Sequence, residues 1–172
     1  MGRIETVRTF GFACGKLEGV MDYASARFAC TAVGNIVVGF HTRDNPNDDD
    51  WTAYLECGRV LLEEHERIGI LAYSLGGGPN AVQRGEVNEM FKDTPQRVAV
   101  MLDSRMARGA VTALSWFNNK IHAFKLDQQD EALAHLGATP EQVTRVKEEL
   151  AQLGERVREL GGRGLEAAGL SA

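Results

Sequence analysis

Three residues able to share a covalent reaction follow one another along the chain: Ser74, then Asp103, then His122 or His135. Ser74 lies in Ala72-Tyr73-Ser74-Leu75-Gly76-Gly77, with a small residue two places before it and a glycine two places after. At a strand end, that spacing allows a sharp turn that raises a hydroxyl toward an imidazole, with backbone N–H groups opposite to hold an oxyanion. The chemistry would be acyl transfer, with Ser74 as nucleophile, His122 as base and Asp103 orienting it. The neighbouring residues argue against this. An oxyanion hole needs its helix to start directly after the serine, whereas Gly76-Gly77-Gly78-Pro79 intervenes and capping residues first occur at Asn80. His122 alternates with Ile121 and Ala123 inside a strand pattern, and His135 falls near the end of a short helix pattern. A serine hydrolase is therefore the second reading.

The elements around Ser74 and Asp103 are plainer. Ile68-Gly-Ile-Leu-Ala-Tyr-Ser-Leu75 reads as a strand, followed by a glycine turn and a helix that starts at Asn80 with Gln83 as its capping-box partner. Arg97-Val-Ala-Val-Met-Leu102 reads as a second strand running into Asp103-Ser104 and another helix carrying Met106, Gly109, Ala110, Ala113, Leu114 and Phe117. Strand–helix twice over implies two parallel strands with right-handed crossovers, so Ser74 and Asp103 should lie at adjacent strand ends, where open sheets place their sites. A hairpin at Gly34-Asn35 precedes this module. Trp51, Tyr54, Leu55, Gly58, Leu61, Leu62 and His65 mark a helix between them. The acidic run Asn45-Pro-Asn-Asp-Asp-Asp50 lacks calcium-loop spacing and is read as the start of that helix, where carboxylates complement the dipole. Lys120 to Leu126 is a last strand, and Gln128 to Leu136 a short helix closed by Gly137.

Thr139-Pro140-Glu-Gln142 opens a final helix, with cap, first-turn proline and capping-box glutamine in agreement. Its apolar residues, Val143, Val146, Leu150, Leu153, Val157 and Leu160, alternate three and four apart. That stripe is narrow, and points to a partner helix and self-association. Organisation is expected as an arm over 1–25, a domain over 26–137, the amphipathic helix over 138–160 and a flexible tail over 161–172. The arm has an alternative strand at Val7 to Cys14, and Met21 is a second candidate start.

The chain has 172 residues, a net charge of −5 and no Lys/Arg cluster, which argues against nucleic acid. No run approaches the ~20 apolar residues of a membrane span. Three cysteines, Cys14, Cys30 and Cys57, lack metal or disulfide spacing and suit free thiols in a cytoplasmic protein. Cys57 reads as a core residue of its helix. No metal or cofactor is expected.

Several strings, taken in order, resemble the STAS fold of sulphate transporters and anti-sigma-factor antagonists, nearest to small bacterial STAS/SEC14-like proteins. They are Pro79-Asn-Ala-Val-Gln-Arg84, Val98-Ala-Val-Met-Leu-Asp-Ser104, Arg108-Gly-Ala-Val-Thr-Ala-Leu-Ser-Trp116, Ile121-His-Ala-Phe124 and Asp130-Glu-Ala-Leu-Ala-His-Leu-Gly137. The resemblance implies an α/β fold: a four- to five-stranded mixed sheet with helices mainly on one face, here with the heptad-patterned helix added. It implies a binding or regulatory role, with an unidentified protein partner or a homo-oligomer. The SEC14 association adds a lipid or small apolar ligand as a further reading. The hydroxyl that a kinase modifies in the antagonists has no counterpart in Gly77-Gly-Pro-Asn-Ala81; Ser104 is the nearest substitute and is better read as a cap. The expected crevice comprises Ser74, Gly76, Gly77, Gly78, Asn80, Gln83, Arg84, Asp103, Ser104 and Arg105.

Overall fold

The computed structural model describes residues 22–103 and 121–168. Strand β1 (Tyr23–Ala24) is followed by the hairpin β2 (Phe28–Val33) and β3 (Ile36–His41), then α1 (Asp48–Glu64), β4 (Ile68–Ser74), α2 (Ala81–Met90), β5 (Gln96–Leu102) and β6 (Ile121–Lys125). Two helices, α3 (Gln129–Leu136) and α4 (Pro140–Glu159), and a short 3-10 turn (Leu165–Ala168) complete the described chain. The six strands form one sheet in sequence order. β1, β2 and β3 pair antiparallel, whereas β3, β4, β5 and β6 are parallel.

The expected parallel pairing of β4 with β5 is met. Ser74 pairs with Leu102, so Ser74 and Asp103 lie at neighbouring strand ends. β3 and β4 are rich in Ile, Val and Leu and are buried almost throughout, as strands covered on both faces must be. Gly34 turns the hairpin at φ 57°, a conformation open to glycine at little cost.

Two separate apolar clusters line the two faces of the sheet. Trp51, Tyr54, Cys57 and Leu61 of α1, with Phe91 just after α2, pack on Phe28, Cys30, Val37, Ile68 and Ile70. On the other face, Ala132, Leu133 and Leu136 of α3 and Val146, Leu150, Leu153 and Val157 of α4 cover Ala29, Val33, Val38, Leu71 and Met101. The arrangement therefore has helices on both faces of a six-stranded sheet, which corrects the expected four or five strands with helices mainly on one face.

The heptad stripe is corrected with it. Val146, Leu150, Leu153 and Val157 are buried against the chain's own sheet, Val143 packs at the margin of that cluster, and Leu160 alone is substantially exposed, at 53%. The helix is seated by its N-terminal glutamine. Gln142 closes the capping box with Thr139 and donates from Nε2 to Asn35 Oδ1 at 3.0 Å, tying α4 to the hairpin turn.

The boundaries at the two ends are also corrected. Tyr23 and Ala24, assigned to the arm, pair with Cys30 and Ala29. In the tail, residues 161–168 fold back on the domain. Arg163 Nε donates to Asp44 Oδ2 at 2.8 Å, the Arg43 N–H donates to the Arg163 carbonyl at 3.0 Å, and Leu165 is buried. The expected strand at Val7 to Cys14 and the expected helix from Ser104 lie outside the described residues, and so do Ser104 and Arg105.

Candidate functional site

The C-terminal ends of β3, β4 and β5 meet the starts of α1 and α2, and the predicted crevice falls there. Ser74 is 5% exposed. Its hydroxyl donates to the Gly77 carbonyl at 2.6 Å and accepts from the Gly76 N–H at 3.2 Å. Both roles of the oxygen are thus taken by its own turn. Gly76 has φ 136°, and Gly77 passes so close to the preceding loop that a Cβ there would stand 2.2 Å from the Asp44 carbonyl oxygen. The Gly77 N–H donates to Thr42 O at 2.7 Å and the Gly78 N–H to Asn45 Oδ1 at 3.1 Å. The glycine turn is fastened to residues 42–45 and is not an open cradle.

Alternation along the strands separates the expected triad. Ser74 shares the α1–α2 face with Ile68 and Ile70. His122 lies on the other face, its ring stacked on His135 of α3 with centroids 4.2 Å apart. The sheet stands between Ser74 and both proposed histidines, so the Ser74–Asp103–His122 arrangement does not form, with either imidazole.

The histidine that the fold sets beside Ser74 is His41, its register partner on β3. It is 5% exposed, its ring lies 4.8 Å from that of Phe28, and its Nδ1 has no hydrogen-bond partner. Burial lowers its pKa to about 4 against an opposing pull from the Asp50 carboxylate, so the imidazole is neutral near pH 7. Asp50 is itself buried: it accepts from the Tyr23 hydroxyl at 2.9 Å and from the Asn47 N–H at 2.9 Å. Burial and then Asp50 push the Tyr23 hydroxyl above its ordinary range. The acidic run thus starts α1 as expected, with Asn47 as cap and Asp50 closing the box.

Gln83 is another polar residue the fold buries. Besides closing the α2 capping box with Asn80, it donates from Nε2 to Pro46 O at 3.3 Å, and its backbone carbonyl accepts from Trp51 Nε1 at 3.1 Å. It therefore clamps the start of α2 to the start of α1. The remaining crevice residues differ. Arg84 is exposed and donates to the Pro79 carbonyl at 2.6 Å, and Asp103 is half-buried at the end of β5. Sequence reasoning missed His41 and Tyr23, and read Asp50 only as part of the acidic helix start. Of the two missed, only His41 carried a signal, as a titratable residue ending an otherwise apolar strand.

Among the described residues, no group of three or more His, Cys, Asp or Glu side chains gathers where a metal ion could be held. No helix among them is long and apolar enough to cross a membrane. No family model matches the chain, no curated protein matches it, and no solved structure matches it.

Proposed function

We propose that the chain is a non-catalytic, STAS-like binding module whose partner surface is the Gly76–Asn80 turn with the first turns of α2. The observation that carries this reading is the exposure of α2. Val82 is 72% exposed, and the neighbouring Gly78 and Gly85 have open space where side chains would stand. Only Gln83 of this helix is fully buried. An exposed valine bordered by two glycines, on a helix start anchored from behind by Gln83, is what supports placing the contact here. Self-association or a second protein would both use it, and the free thiols Cys30 and Cys57 go with a cytoplasmic setting. The locked hydroxyl of Ser74 supports binding over acyl transfer.

The test compares the wild-type chain with Val82→Arg, first by light scattering for self-association and then by capture from cells of its source. The substitution should abolish the association while leaving the thermal transition in place. Association unchanged by Val82→Arg would remove α2 from the role. A fluorophosphonate probe should leave Ser74 unlabelled in the folded protein, and labelling would restore the hydrolase.

A further inference from the structure

Glycines lead the chain beyond α4 to one place. Gly161, at φ 82°, ends the helix: its N–H donates to Arg158 O at 3.0 Å and the Gly162 N–H to Val157 O at 2.8 Å, the paired bonds of a glycine-terminated helix. Gly162 then passes between α4 and the start of the hairpin, where a Cβ would stand 2.3 Å from Val157 Cγ1 and 3.0 Å from Ala26 O. The strap so formed, residues 161–168, closes on residues 43 and 44. The Arg43 N–H donates to Arg163 O at 3.0 Å, the Arg163 guanidinium grips both Asp44 carboxylate oxygens, and Arg43 pairs with Glu166 at 3.4 Å. Leu165 anchors the strap in the apolar cluster of the α4 face.

The same loop also contacts the glycine turn. The Asp44 carbonyl presses on Gly77, and Asn45 Oδ1 accepts from the Gly78 N–H. Residues 43–45 therefore link strap to turn. Thr42 is secured separately, its N–H and hydroxyl both donating to Arg27 O, at 3.1 and 2.9 Å. Beyond it the support from the hairpin is thin, since Arg27 Nη1 reaches Asn45 O only at 3.4 Å. The strap supplies the rest, and its side chains Arg163 and Glu166 are exposed, as is Arg43. Ion pairs of that kind are weak and screened by salt.

We propose that residues 161–168 are an ion-pair latch on the Gly76–Asn80 turn: closed, the strap holds residues 43–45 against the turn, and opening it loosens the turn while the sheet stays intact. A segment held by exposed ion pairs beside a buried leucine opens at far lower cost than a strand buried on both faces. The latch thus sets how well ordered the turn is before anything binds it, which is the part of a binding cost that pre-organisation removes. It rests on the α2 reading only for what the ordered turn would bind.

The test reads amide hydrogen exchange residue by residue, by NMR, in the full-length chain and in Arg163→Glu, which sets the strap against Asp44. Exchange at Gly77 and Gly78 should quicken about fivefold, while Leu71 and Tyr73 of β4 keep their parent rates. Glu166→Lys, which repels Arg43, should give about a twofold effect in the same direction. Raising the salt to about 1 M should bring the parent and Arg163→Glu rates together. The latch is overturned if Gly77 and Gly78 keep parent rates in both variants, or if the gap between parent and Arg163→Glu ignores salt. It is overturned too if the β4 amides quicken by the same factor, because the strap would then serve global stability alone. Val82→Arg leaves the strap untouched and should exchange as the parent does, so a failed α2 surface and a failed latch give different results.

Discussion

Acidification should destabilise this protein through one imidazole. His41 lies on β3 with its ring against Phe28, 5% exposed, and its Nδ1 makes no hydrogen bond. In the unfolded chain its pKa returns to about 6.5, whereas burial holds it at about 4 in the folded protein. Above pH 6.5 both states carry a neutral ring and the fold keeps its full stability. Below it the unfolded chain takes up a proton that the folded chain refuses until about pH 4, so unfolding gains. The gap is worth about 3 kcal/mol in full, of which about 2 kcal/mol is already lost at pH 5. Set against a total of about 5–15 kcal/mol for a domain, that loss is large. Urea unfolding followed by Trp51 fluorescence at several pH values between 5 and 7.5 measures it, with His41→Leu as the comparison. Leucine has similar volume and no proton to gain. Wild type and variant should converge as pH rises and separate as it falls, the variant keeping about 2 kcal/mol more at pH 5 relative to their difference at pH 7.5. Carboxylates held low by arginine, such as Asp44 and Glu56, titrate alike in both chains and cancel. A pH-independent difference would refute the argument, because it would mean that the folded state admits the proton as readily as the unfolded one.

Two further outcomes follow from the same packing. Gly77→Ala should cost at least about 2 kcal/mol in a thermal or urea melt, because its Cβ would meet backbone atoms of residues 42 and 44, which cannot move aside as a flexible side chain would; the alanine of Gly78→Ala, with nothing nearby, should cost little. Truncation after Leu136 should unfold the protein, as read by circular dichroism, and not merely change its oligomeric state. It removes Val146, Leu150, Leu153 and Val157 from the sheet, and burial of about 1.5–3 kcal/mol each approaches the whole stability of a domain.

Features set by residues three or four apart were legible from the chain alone. The capping boxes Asn80–Gln83 and Thr139–Gln142, the left-handed Gly137 at φ 75° and the Gly34-Asn35 hairpin all stand where the residues placed them. Each is closed by a bond within its own turn, so no distant partner can overrule it. The parallel pairing of β4 with β5 was legible for a related reason, since a short strand–helix–strand connection leaves few alternatives. The partners of apolar and buried polar surface were not legible. The period of α4 shows that one stripe must be covered, but a sheet and a second helix satisfy the same stripe. Only the fold decided that Ala29, Val33 and Val38 cover it. The same is true of Ser74. Strand alternation in β4 and β6 depends on which face each strand presents, and this set His122 on the far side and His41 alongside. Cys30 and Cys57 likewise share one apolar cluster because α1 lies over β2, a meeting of residues distant in sequence that no local spacing encodes.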